Sequence, residues 1–289
     1  MHTFHDCLPC FVRQTLEALE RVGADQVMRD SVLRQVLRRL SEIDLDRSPP
    51  EMAQEIHRLI RQASGVIDPY AEVKQQFNRL IDDMIPELRR RIQGAADPFR
   101  VALRLALAGN IIDFGVHADM DEARVLATVE QSLKEPIAGM DLETSRRLLG
   151  RAGRILYVAD NAGELGLDLL FIEHLGIERV SLVVRGAPTL NDVTREDAAF
   201  FGLDERMPIL DTGSDAPGLI VEQAGDELRR ALGDTDLVVA KGQGNYETMS
   251  GFARPVLFLL RAKCPVIARH IGVPVGQLVV EGRGLSSSA

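Results

Sequence analysis

The sequence has no tryptophan, and its 289 residues include only 3 Tyr and 10 Phe. Aromatic platforms on which nucleic-acid bases stack are therefore in short supply. Basic residues are also in deficit: 34 Lys and Arg against 43 Asp and Glu leave a net charge of −9. That balance argues against a nucleic-acid partner, and the cluster Arg89-Arg90-Arg91 reads as a solvated helix face. No apolar run reaches the roughly 18 residues of a membrane helix. The first ten residues, MHTFHDCLPC, carry neither a basic region nor an apolar signal core, so a cytoplasmic chain is expected rather than a secreted one. Three cysteines cannot build a disulfide framework, and an odd count suits a reducing compartment. Internal repeats are absent, and low complexity is confined to the terminal SSSA.

What remains is a globular composition, 45% hydrophobic and 27% charged, long enough for a sizeable core. The hydrophobic period changes along the chain. Val32, Val36 and Leu40 recur at four-residue steps, and Phe77, Leu80, Ile81, Met84, Ile85 and Leu88 at steps of three and four, as on amphipathic helices. DRSPPE (46–51) and GVIDPY (65–70) break the pattern. Residues 1–150 therefore read as a helical region, with a further division near 65–95 left open. After residue 150 come short apolar runs at 155–159, 180–184, 208–210, 237–240 and 265–268, separated by helical segments. Strands alternating with helices imply crossovers and a parallel sheet. Residues 151–289 thus read as a Rossmann-like α/β domain, with all strands expected in this half.

Ligands of an open parallel sheet bind outside the carboxyl ends of its strands. The first run ends in Asp160-Asn161-Ala162-Gly163-Glu164, and the second in RGAPTLND, which holds Arg185, Asn191 and Asp192. The third ends in DTGSDAPG (211–218), and the fourth in KGQGNYE, which holds Lys241, Gly242 and Asn245. Carboxylate and amide oxygens suit a hard or borderline divalent cation such as Mg²⁺ or Mn²⁺. Lys and Arg beside Gly-rich backbone suit a phosphate. Together they form the arrangement that phosphoryl transfer requires. Simpler readings stand beside this one. Asp160 and Asp192 at strand–helix junctions could be N-caps, and Lys241 could be an exposed loop residue. DNAGELG lacks the G-x-G-x-x-G spacing of a dinucleotide loop.

DNAGE (160–164), RGAPTLND (185–192) and KGQGNYE (241–247) resemble the damage-control phosphatase family, also called domain of unknown function eighty-nine. DPYAEVKQQFN (68–78) and AGNIIDFG (108–115) are similar to motifs of that family's helical region. The resemblance runs from about residue 7 to 270. It implies a three-layer α/β/α fold with helical subdomains, and a cytoplasmic metal-dependent phosphatase acting on small phosphorylated metabolites. It also implies a divalent ion (Mg, Mn, Co or Ni) on Asp160, Asn161 and Asp192, with Lys241 on the substrate phosphate. Asn110 and Asp113 would lie in a pocket-closing motif, and the helix start after Asn161 would add backbone donors for the anion. Glu164, Arg185, Asn191, Gly242 and Asn245 are the further substrate-side candidates. Glu247 stands where the eukaryotic branch has Arg, and Cys7-Leu8-Pro9-Cys10 is absent from that branch, so the prokaryotic branch is the better match.

Cys7 and Cys10, with Cys264 and His5 or His270, could complete a second metal site, line a pocket, serve as a redox pair or pack as small hydrophobes. His57, His117 and His174 have no ligand spacing. Two other functions compete. A haloacid-dehalogenase-type aspartyl phosphatase needs D-x-D after its first strand, and position 162 is Ala. A non-catalytic metal- or nucleotide-binding protein would bind without turnover. Substrate identity, physiological metal and oligomeric state are not legible.

Overall fold

The structure is a computed structural model that describes residues 1–109 and 122–285. Three helices open the chain: α1 (Cys7–Arg21), α2 (Gln26–Ser41) and α3 (Pro49–Ser64). Local chemistry sets their limits. The Asp25 carboxylate accepts from Met28 N at 2.8 Å, and Ser48 with Glu51 forms a capping box ahead of α3. Gly65, with φ 71°, closes α3 in the left-handed region. The predicted stripe of Val32, Val36 and Leu40 packs against Phe11, Leu19, Met52, Ile56 and Ile60, a core these helices keep to themselves. The predicted break at 65–70 falls between α3 and α4, and the one at 46–51 runs into the first turn of α3, where Pro49 and Pro50 start the helix. By contrast, α4 (Ala71–Gln93), α5 (Pro98–Gly109) and α6 (Glu122–Lys134) share a core with the sheet, through Phe77, Ile81, Leu88, Leu103 and Val125.

Among the described residues the sheet has seven strands: β1 (Ile137–Gly139), β2 (Ile155–Val158), β3 (Val180–Val184), β4 (Ile209–Asp211), β5 (Leu237–Lys241), β6 (Val256–Arg261) and β7 (Leu278–Arg283). Their order is β1-β7-β6-β5-β2-β3-β4, and only the β6–β7 pair is antiparallel. Between them run α7 (Leu142–Arg151), α8 (Glu164–Leu175), α9 (Arg195–Phe200), α10 (Asp226–Asp234), α11 (Gly242–Met249) and α12 (Pro265–Ile271). Alternate strand residues face opposite cores. Ile155, Tyr157, Leu182, Leu237 and Val239 meet α4 to α9, while Leu156, Val158, Val183 and Val238 meet α10 to α12. The result is the three-layer α/β/α arrangement.

Three expectations fail. A strand lies inside the region read as helical, because β1 is a three-residue edge strand, too short to show a period. Residues 256–261 form a central strand that periodicity left unassigned, since a short apolar run fits strand and helix alike. Residues 265–268 are helical, not extended: Pro265 lacks an N–H and suits the first turn of α12, and Cys264 is the extended residue before it.

The first three helices dock on the loop after β4. Gln54 Nε2 donates to Asp215 Oδ1 at 2.7 Å, Arg58 Nε to Asp215 Oδ2 at 2.9 Å, and Arg61 also pairs with Asp215. His57, on the same helix, is buried and its Nε2 has no hydrogen-bond partner among the described residues. Burial, then the Arg61 charge, pushes it down to about 4 from 6.5. Between these values the unfolded chain binds a proton that the folded chain refuses. His57 therefore costs stability as pH falls from 6.5 toward 4, by roughly 3 kcal/mol when complete. Stability profiles of the parent and His57→Gln should diverge over that window, with the variant less acid-sensitive. Parallel profiles would show that His57 does not titrate in this way.

Candidate active site

Strand β2 lies between β5 and β3. The chain runs outward through β3 and β4, then returns to β5 on the other side of β2. That reversal opens a crevice at the carboxyl ends of β2 and β5, where such sheets bind ligands. Two loops meet there. Ala162 N donates to Asn191 O at 2.8 Å and Val193 N to Asp160 O at 2.9 Å, so 160–162 and 191–193 run antiparallel with Asn161 opposite Asp192. Leu190, just before, has φ 45°, a left-handed conformation that costs a branched residue energy and clusters at functional sites.

Asp160 and Asp192 are both buried. Neither is a helix cap, because the residue before α8 is Gly163 and the cap of α9 is Thr194, which pairs with Asp197. Burial, then the charges of Asp192 and Glu164, pushes the Asp160 carboxyl up to about 8. Burial raises Asp192 as well, against the opposing Arg185 charge. Arg185 Nε donates to Asp192 Oδ2 at 2.6 Å, and its Nη2 lies 3.8 Å from Asp160 Oδ1. The Arg185 side chain is 0% exposed, yet Nη1 and Nη2 donate no hydrogen bond among the described residues, and the buried Thr189 Oγ1 is likewise without a partner. Asn161 Nδ2 donates to Asp160 Oδ2 at 2.9 Å and to Glu164 Oε2 at 3.2 Å. Gly242 starts α11 with φ 75°, and a Cβ there would collide with the Asp160 carboxylate, so only glycine lets the two segments approach.

Lys241 is not an exposed loop residue. It ends β5, is 0% exposed, and donates to Ala106 O at 2.8 Å, to Asp168 Oδ1 at 2.6 Å and to Glu164 Oε1. An ammonium has three protons, and all three are engaged, so in this structure it organises carboxylates rather than offering a donor to a phosphate. Asp168 is pushed up to about 7 by burial, although Lys241 opposes the shift, and it accepts from Tyr157 Oη at 2.8 Å.

The other candidates divide. Both amide hydrogens of Asn245 are engaged, on Lys241 O at 2.7 Å and Ala159 O at 3.1 Å, and its Oδ1 accepts from Leu219 N at 2.9 Å. It thus ties the ends of β2 and β5 together instead of facing a substrate. Of the backbone donors after Asn161, two are engaged, Ala162 N on Asn191 O and Gly163 N on Asn78 Oδ1 at 2.6 Å. Asn191 is partly exposed beside the crevice. Asn110 and Asp113 lie outside the described residues. Sequence reading missed Asp168, Thr189, Lys74, Asn78 and Asp197. Two signals pointed to three of them: carboxylates four residues apart (164 and 168) in the mostly apolar start of α8, and Lys74 and Asn78 at the same spacing on one face of α4.

Cys7 and Cys10 begin α1, and Cys264 precedes α12; all three are unpaired. The N-terminal segment does fold over this part of the domain: Met1 N donates to Glu247 O at 2.6 Å, and Asp6 pairs with Arg269. The second metal site is not formed, however. No group of three or more His, Cys, Asp or Glu side chains among the described residues could hold an ion. His270 Nδ1 instead faces Tyr246 Oη at 3.0 Å, and burial raises the Cys7 and Cys10 thiols. Cys264 accepts from Gln243 Nε2 at 3.5 Å, in the first turn of α11.

The donor set at the crevice fits a divalent cation on chemical grounds. Two buried carboxylates that disfavour each other's charge, with the Asn161 amide beside Asp160, are what a hard dication stabilises. The family model described as damage-control phosphatase ARMT1-like domain matches residues 3–279. A damage-control phosphatase of Archaeoglobus fulgidus is 37% identical over 80% of this chain and 81% of its own length. One from Pyrococcus horikoshii is 30% identical over 96% of this chain and 97% of its own. The crystal structure of a DUF89 family protein from Pyrococcus horikoshii superposes with a TM-score of 0.89 at 29% identity, covering 97% of this chain and 99% of that one. The chain belongs to the damage-control phosphatase ARMT1-like family.

Proposed function

We propose that the protein is a metal-dependent phosphatase that hydrolyses phosphate monoesters of small metabolites. The observation that carries this reading is the meeting of two buried carboxylates, Asp160 and Asp192, with an arginine whose outer donors have no hydrogen-bond partner among the described residues. Relatives named damage-control phosphatases support a hydrolase of this kind. Asp160, Asn161 and Asp192 would hold the ion. When bound, it would offset phosphoryl charge and make water a better nucleophile. Arg185 holds the Asp192 carboxylate through Nε, and its Nη1 and Nη2 are the donors best placed for phosphoryl oxygens, with Thr189 Oγ1 as a third. Lys241 fixes Glu164, and Glu164 orients the Asn161 amide. Position 162 is a buried Ala, so the acid that an aspartyl-phosphate route places there is missing.

The test is phosphate release from a panel of sugar phosphates and other phosphorylated metabolites, with Mg²⁺, Mn²⁺, Co²⁺ or Ni²⁺ added singly. Release that needs added metal is expected, and no release from any ester with any of the metals would sink the reading. Arg185→Lys keeps the charge but loses the planar fork. It should lower kcat/KM roughly 30- to 1000-fold, or about 2–4 kcal/mol of transition-state stabilisation. A change below about threefold would move the phosphate elsewhere.

A further inference from the structure

The antiparallel pairing of 160–162 with 191–193 brings the two carboxylates together, but it is only three residues long. The two segments leave the pairing at opposite ends, one after Ala162 and the other after Val193. The next N–H groups are those of Gly163 and Thr194, and each donates to a side chain: Gly163 N to Asn78 Oδ1 at 2.6 Å, and Thr194 N to Asp197 Oδ2 at 2.8 Å. Those side chains are joined to each other, Asn78 Nδ2 donating to Asp197 Oδ1 at 2.8 Å. Thr194 Oγ1 also donates to Asp197 Oδ2 at 2.9 Å, and Lys74 Nζ lies 3.3 Å from the same oxygen and 3.1 Å from Asp68 Oδ2. Lys74, Asn78 and Asp197 are all buried.

We infer that Lys74, Asn78 and Asp197 form a side-chain clasp that bridges the two ends of this pairing, from Gly163 to Thr194, and so sets the spacing of Asp160 and Asp192 for a divalent cation. The inference rests on the proposed metal site. It gives a reason for the Asp68, Lys74 and Asn78 positions of the DPYAEVKQQFN segment, which leads into α4 and lies away from the sheet in sequence. An amide is suited to position 78 because one face must accept from Gly163 and the other donate to Asp197. The Asp197 carboxyl group accepts from Asn78 Nδ2, Thr194 N and Thr194 Oγ1, and Lys74 lies beside it as a buried cation. These are positioning residues: they bear on the ion through the loops that carry its ligands, and groups in that role typically change metal affinity 10- to 100-fold.

Mn²⁺ affinity by calorimetry on the metal-free full chain separates this from a general packing role. Parent, Asn78→Ala, Lys74→Gln and Asp192→Asn proteins would be compared with Val36→Ala, a core truncation in the first three helices that lowers stability far from the site. Asn78→Ala should raise the Mn²⁺ dissociation constant at least tenfold, while Val36→Ala stays within twofold of the parent. Lys74→Gln, the milder change, should raise it at least threefold and keeps the question open to measurement if Asn78→Ala does not fold. A parent that binds, with the folded clasp variants within twofold of it and Asp192→Asn impaired, overturns the clasp alone. A parent that binds no Mn²⁺ overturns the metal reading and the clasp with it.

Discussion

Lys241→Met will unfold at a temperature lower by on the order of 10 °C, because it strands two carboxylates in the core. Lys241, Glu164 and Asp168 are each 0% exposed, and the ammonium donates to both acids and to Ala106 O. Removing one partner of a buried ion pair costs about 3–5 kcal/mol, since the charges left behind have neither water nor a counter-ion. In a chain of this size each kcal/mol moves the midpoint by roughly 2–4 °C. The simpler sequence reading of Lys241, an exposed loop residue, implies the reverse, a loss that folding would tolerate. Two further measurements identify the cause. First, adding Glu164→Gln and Asp168→Asn to Lys241→Met should recover most of the loss, because neutral amides no longer need the cation. Second, the single variant should gain stability as pH falls. Without Lys241 the folded carboxyls hold protons that the unfolded chain releases, so the folded state binds more protons and is favoured by acid. A midpoint within 2 °C of the parent would show that the triad contributes little.

The miss over Lys241 shows where sequence reading ends. The strand ends were legible because a buried parallel strand is a short apolar run and the polar residue after it stands out: Asp160 and Lys241 both follow such runs, and both sit at the crevice. What period and spacing do not carry is the direction of a side chain at the junction. Lys241 was one residue from being loop; the ladder to Leu259 extends through it and turns it inward. The same limit applies to Asn245, whose amide reads as a ligand in sequence but ties Ala159 O to Lys241 O. The edge strand at 137–139 and the strand at 256–261 were missed for a different reason. One is too short for any period, and the other pairs with a strand 22 positions further on, at 278–283, that no local signal announces. The clasp from α4 was visible only as a motif, because Lys74 and Asn78 meet Asp197 more than 100 residues away.

Asp192→Asn should leave the metal-free protein folded and remove its response to metal. The substitution keeps the size of the side chain and an oxygen that can accept from Arg185 Nε. It removes no helix cap, since Thr194 and Asp197 cap α9. It also relieves Asp160 of a neighbouring negative charge, one of the causes that push that carboxyl up to about 8, so the metal-free midpoint should shift by only a few degrees. The proposed ion, however, loses one of its two anionic ligands. At roughly 4 Å and an effective dielectric near 20, a unit charge pair is worth about 4 kcal/mol, and an amide dipole restores only part of that. A loss of about 2.7 kcal/mol corresponds to about 100-fold weaker metal binding. Hydrolysis should then need correspondingly more metal, and most of it should vanish at concentrations that saturate the parent. The unfolding midpoint gives a second readout that does not depend on turnover. An ion that binds only the folded state raises stability by RT ln(1 + [L]/Kd), so at about 100 times its dissociation constant the parent gains about 2.7 kcal/mol, and the variant at the same concentration gains less than about 0.5 kcal/mol. Superimposable metal titrations of parent and Asp192→Asn, in both turnover and midpoint, would remove Asp192 from the site and leave its pairing with Arg185 as its whole role.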